Sequence, residues 1–225
     1  MSDLFPTTHA TWLRSRVESA PDEARRHVMQ RYLDPLVAYA RASTLRSLGE
    51  PAELVNDFLA SRLADDGYLV RWKASGLPLR RWLVNGLITH SRNRATTDAR
   101  RRGRLQGVDP SELEASAASP ETDALLALER AWAMRVMIEA HDRIRSELDA
   151  EGRGAWWELF RLHSVQGLGY AQASRITGIA ASSASHVNRV VATRLREAIA
   201  AILLRDGIPP EEIEREFALL EDLLG

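Results

Sequence analysis

The 225 residues include 30 Lys or Arg, 31 Asp or Glu, 45% hydrophobic residues and no cysteine. The lack of cysteine excludes disulfides and thiolate zinc sites. No apolar run approaches the ~20 residues of a membrane helix, and the opening MSDLFPTTHA has no basic region followed by an apolar one, so a soluble cytoplasmic protein is expected. The net charge of -1 hides an asymmetry: residues 1–104 hold 18 basic and 11 acidic side chains, residues 105–225 hold 12 and 20. The two halves therefore face different partners, or each other.

Apolar residues recur at helical spacing almost throughout and strand-length alternation is missing, which predicts an all-α fold. Thr11 to Ser19 forms a short first helix with Trp12, Leu13 and Val17 on one side. Pro21, followed by Asp22 and Glu23, suits the first turn of a second helix carrying Val28, Tyr32, Leu36 and Tyr39. Pro35 is expected to kink or break it. After Gly49, Pro51 opens a third, in which Leu54, Val55, Phe58, Leu59 and Leu63 form the apolar stripe and Glu53, Asn56, Asp57 and Ser61 fall outside it. Asp65-Asp66-Gly67 stops that helix, and Gly76 and Pro78 precede the stretch LRRWLVNGLITHSRNRATTDARRRGR, residues 79–104.

That stretch begins apolar, with Leu79, Trp82, Leu83, Leu87 and Ile88, and ends basic. From 71 to 104 there are ten Lys or Arg against one acid, Asp98, a balance of +9. Such a run has no apolar destination and suits a nucleic-acid backbone. Trp82 fits a core position by its spacing and a base-stacking platform by its neighbours. Residues 105–120, small, polar and acidic, read as a linker.

Ser119 and Pro120 suit the start of a long helix carrying Leu125, Leu128, Trp132, Val136, Ile144 and Leu148, closed by Gly152 and Gly154. Trp156, Trp157, Phe160 and Leu162 form the next apolar face. The pattern around Gly178 then predicts a helix-turn-helix. Tyr170, Ala173, Ser174 and Ile176 belong to its first helix, Ile179 fills the gap, and Ala184, Val187, Val191 and Leu195 form the inward stripe of the second. Ser182, Ser183, Ser185, His186 and Arg189 are left outward, where such motifs touch bases and phosphates. A plain helical hairpin is the alternative. Gly207 and two prolines lead to a last acidic amphipathic helix, expected to pack on the molecule or a regulator and to restrain DNA binding. The six histidines are scattered and no phosphate loop follows a strand, so neither an enzyme, a metal site nor a cofactor is expected.

Taken in order, YLDPLVAYAR, GEPAELVNDFLASRL, PLRRWLVNGLITHSRNRATTDARRRGR, a linker and a helix-turn-helix ending RLREAIAAIL resemble a bacterial RNA polymerase sigma factor of the extracytoplasmic-function class, over roughly residues 20–205. The resemblance implies two helical domains joined by a flexible linker: 1–104 for core polymerase and the −10 element, 105–120 as linker, 121–206 for the −35 element, with 207–225 as an acidic extension. It implies that Glu53, Asn56 and Asp57 contact core RNA polymerase. It implies that Arg80, Arg81, Trp82, Arg92, Asn93, Arg94, Arg100, Arg101, Arg102 and Arg104 engage the −10 element of promoter DNA, and that Ser182, Ser183, Ser185, His186 and Arg189 engage the −35 element. Arginines hold phosphates, while aromatic and polar groups trap unstacked bases. An anti-sigma factor or a Ser/Thr kinase would be a further partner, the latter through Ser61 beside the polymerase-facing acids. The chain departs from the family pattern at Asn56, where Gln is usual, at Asn85-Gly86, which interrupt the apolar helix, at Ala173-Ser174, and at Asn188, in an expected apolar slot. A polymerase-independent DNA-binding regulator and a helical protein-binding adaptor are the competing readings.

Overall fold

The computed structural model describes residues 12–106 (Ala99 and the last six as backbone only) and 121–224. Ten α-helices run through them: α1 Trp12–Ser19, α2 Pro21–Ala42, α3 Pro51–Leu63, α4 Asp66–Ser75, α5 Leu79–Gln106, α6 Thr122–Ala150, α7 Gly154–Phe160, α8 Tyr170–Thr177, α9 Ala181–Arg205 and α10 Ile213–Leu224. No strand occurs among the described residues, and none of their helices is long and apolar enough to cross a membrane. The proposed linker, from 107 onward, and the proposed cap at Ser119 and Pro120 lie outside the described residues. Contacts divide the chain into two compact units, one comprising 12–133 with 217–224, the other 134–216, so the division falls inside α6.

In the first unit α2 packs against α3, and α5 against both. Pro35 neither ends nor splits α2, which continues to Ala42. The lost backbone bond costs about 3 kcal/mol. Pro35 is itself buried between Tyr32 and Leu36, so apolar burial on the same face offsets it. The stripe on α3 is buried throughout, and Glu50 starts the helix by accepting from the amides of Ala52 and Glu53. Asp65 ends one helix and begins the next: its carboxylate caps α4 through the Gly67 amide at 2.9 Å. Gly76, left-handed at φ 70°, closes α4. The buried Trp72 then donates its indole N–H to Leu77 O at 2.9 Å, fastening the turn that launches α5. The first turns of α6 belong to this unit, where Glu121 accepts from the Thr44 amide at 2.9 Å.

In the second unit Leu159, Leu162, Ala173, Ala184 and Val187 form a core cluster, with Trp156, Leu168, Tyr170 and Ile179 packed on it. α7 runs on through a π turn at Arg161–Val165. The α9 stripe of Ala184, Val187, Val191 and Leu195 is buried as expected. Ile176 is not: it is 57% exposed. At 100° per residue it lies about 60° from Ala173 but about 160° from Ser174, on the flank of the buried pair of α8. Asn188 occupies no apolar slot. It is half-buried and its Oδ1 accepts from Ser164 Oγ at 2.9 Å.

Candidate functional site

The first unit holds an open cavity of about 300 Å³ where α5 passes over α4. Trp82, half-buried, and Tyr68, buried, form its aromatic wall, with ring centroids 5.6 Å apart and planes tilted by 46°. Arg62 and Arg71 bring two guanidinium groups to the lining, Asn85 and Thr89 bring polar groups, and no carboxylate lines it. Arg71 is engaged by Asp65 at 2.5 Å, which holds that carboxyl below the usual range. Burial raises the Tyr68 phenol well above its ordinary pKa, so it is a neutral donor at any physiological pH.

Gly86 makes this arrangement possible. A Cβ there would collide with the Tyr68 hydroxyl and stand 3.0 Å from the Phe58 ring. The glycine that interrupts the apolar run in sequence is therefore the place where α5 comes close to α3 and α4.

Along α5 the ten proposed DNA-contacting residues separate. Arg81 and Arg100 are exposed, Arg92 is half-buried, and none of the three has an acidic partner among the described residues. Asn93 is exposed. Arg101, Arg102 and Arg104 continue the helix, but their side chains lie outside the described residues. Arg80 requires a correction. It is only 8% exposed; its Nε lies 3.0 Å from Glu129 Oε2 and its guanidinium stacks 4.0 Å over the Trp132 ring. It is an internal tether for the start of α6 rather than a surface cation. The signal was present: position 80 shares a helical face with Val84 and Leu87, both buried.

On α3, Glu53, Asn56, Asp57 and Ser61 are all exposed. Asp57 forms an ion pair with Arg94 of α5, and Arg94 also lies 4.0 Å from Asp98. A proposed polymerase contact and a proposed DNA contact are thus partners of each other. Both stay near half exposed, so neither is withdrawn from an outside ligand.

On the second unit, Ser182, Ser183, Ser185, His186 and Arg189 are exposed along the start of α9, and Arg189 Nη2 sits 3.4 Å from His186 Nδ1. The first turn of α9 has no side-chain cap at Ala180, and the Ser183 amide bonds back to Ala180 O at 2.9 Å. Gly178, at φ 74°, makes the turn between α8 and α9. His163 and Tyr170 stack at 3.8 Å, and His163 Nδ1 lies 2.7 Å from Leu168 O, holding the preceding π turn against α8.

Sequence reasoning missed Arg62, Tyr68, Arg71 and Thr89. These cavity residues come from three helices, and only α3–α5 packing assembles them. No group of three or more His, Asp or Glu among the described residues is placed to hold a metal ion. Comparison with protein-family models, curated proteins and solved structures finds no match to this chain.

Proposed function

We propose that this chain is a bacterial RNA polymerase sigma factor of the extracytoplasmic-function class, a non-enzymatic subunit that recruits core polymerase and opens promoters. The observation that carries the reading is on α5. A guanidinium-lined cavity at Trp82 lies on the same helix as Arg81, Arg92 and Arg100, which lack acidic partners among the described residues. The arginines suit phosphates, and the aromatic cavity suits an unstacked base of an opened strand. The exposed Glu53, Asn56 and Asp57 on the adjoining α3 offer an acidic and polar face to the polymerase.

In this reading the chain has two functional domains, and α8 and α9 form a helix-turn-helix. Ser182, Ser183, Ser185, His186 and Arg189 on α9 enter the major groove of the −35 element. Arg101, Arg102 and Arg104 extend the phosphate contacts of α5. Ser61 is a modification site beside the polymerase face, and the protein works in the cytoplasm.

The test is transcription in vitro with core polymerase on a pool of promoter fragments. Initiation from a defined sequence is expected, together with retention of the protein by core polymerase. Neutralising about six phosphates gives a log–log salt slope near −5 for duplex binding. Failure of both retention and initiation would reject the proposal. Binding to intact duplex without any affinity for polymerase would instead favour a free-standing regulator, for which the open face of α9 is sufficient.

A further inference from the structure

Three buried donors at one cavity have no acceptor. Arg62 Nε, Tyr68 Oη and Trp82 Nε1 are shielded from solvent and make no hydrogen bond, and all three residues line the same space. Buried donors in folded proteins are nearly always paired. Three orphans around one opening mark a place where an acceptor is supplied from outside. Of the other polar groups there, Arg71 is held by Asp65 and Thr89 Oγ1 donates to Asn85 O at 2.9 Å, while the Asn85 side chain is exposed.

From this we infer that Arg62 is a specificity-determining residue, and that with Tyr68 and Trp82 it selects an unstacked base bearing an exocyclic carbonyl (guanine, cytosine or thymine) over adenine. The inference rests on the reading of the cavity as a base site and adds which base it takes. A carbonyl oxygen accepts up to two hydrogen bonds and a guanidinium fork delivers two, which in the arginine–guanine pair go one to O6 and one to N7. Adenine has no carbonyl: it offers only ring nitrogens, which accept one hydrogen bond each, and it turns its N6 amino donor toward Arg62 Nε and Trp82 Nε1, neither of which can accept. Arg62 has no acidic partner among the described residues, so its charge is free to answer the carbonyl. Trp82 supplies the stacking face. A base settling on it displaces its ring from Tyr68 and uncovers both remaining donors.

The experiment uses the full-length protein and competition fluorescence anisotropy. The probes are short single strands of abasic residues, each carrying one central base. The guanine, cytosine and thymine strands should compete about five- to tenfold better than the adenine strand, the effect of one well-placed hydrogen bond to a buried donor. Arg62→Met should shrink that gap to about twofold or less, and Arg62→Lys, which keeps the charge and loses the fork, should shrink it partly. Tyr68→Phe removes a donor that has no partner in the free protein, so thermal stability should hold or rise while the gap narrows. Equal or better competition by adenine, an undiminished gap in Arg62→Met and Tyr68→Phe, or no measurable binding of any strand overturns the inference. If core polymerase still retains the protein and initiates, only the base selection falls. If retention and initiation fail as well, the proposed function falls with it.

Discussion

At the scale of single residues, burial separates side chains that look alike in sequence. Arg80 and Arg81 are neighbours in a basic run, yet one faces Glu129 and Trp132 while the other faces solvent. Arg80→Met removes the ion pair with Glu129 and the stack on Trp132 and should lower stability by about 1.5–3 kcal/mol in urea unfolding. Arg81→Ala should leave unfolding unchanged and lower the salt slope of DNA binding by about one. The reverse pattern would place Arg80 in the interface after all. The Asp57–Arg94 pair allows a second test. Because both partners are half exposed, the pair contributes only ~0.2–1 kcal/mol. Asp57→Asn leaves Arg94 with only the longer contact to Asp98, so in the absence of polymerase it should tighten single-stranded DNA binding up to a few-fold while weakening retention by core polymerase. If it weakens both, Asp57 is holding the fold and has no separate role.

At the scale of elements, the close approach of α5 depends on a residue that lowers helix propensity. Gly86→Ala gains up to about 1 kcal/mol of propensity. Its Cβ would meet the Tyr68 hydroxyl and crowd Phe58, and overpacking of this kind costs about 1–3 kcal/mol. The expected balance is a lower melting temperature, recovered in part by adding Tyr68→Phe, which opens the space. A melting temperature raised by Gly86→Ala alone would show that α5 shifts freely and that the cavity is not held by this contact. The outward positions of α3 and the inward stripe of α9 were legible from period alone, because an amphipathic helix on one core has a single way to face. Two residues depart from the simplest pattern: Pro35, which does not break α2, and Ile176, which is exposed on α8. Propensity yields to burial inside α2, whereas on the short α8 a 3.6-residue period leaves little room for a fourth inward residue.

At the scale of the whole molecule, the acidic end is held in place. Ile213, Phe217 and Leu220 of α10 are buried, and Glu214 takes both carboxylate oxygens to Arg196 Nη2 at 2.8 and 2.6 Å. Removing 208–225 should lower thermal stability, and if the tail restrains binding it should raise DNA affinity at low salt. An unchanged affinity would reject the restraint. Acid should destabilise both units. Burial, then the charge of Arg62, depresses the pKa of His90, and burial depresses that of His141. The unfolded chain therefore takes up these protons first. The contribution is complete above about pH 6.5, the ordinary histidine value, and is lost as the pH falls below it. Thermal melts should show a fall in stability from pH 7.5 to 5.5 that His90→Gln with His141→Gln flattens.

Composition and period were enough to settle the helical class and which face of α3 and of α9 meets solvent, since these follow from where apolar groups recur along one chain. Tertiary packing decided the rest. The destination of Arg80, the pairing of Asp57 with Arg94 and the cavity with its three unpaired donors each depend on side chains far apart in sequence meeting at one point, and no local pattern encodes that distance.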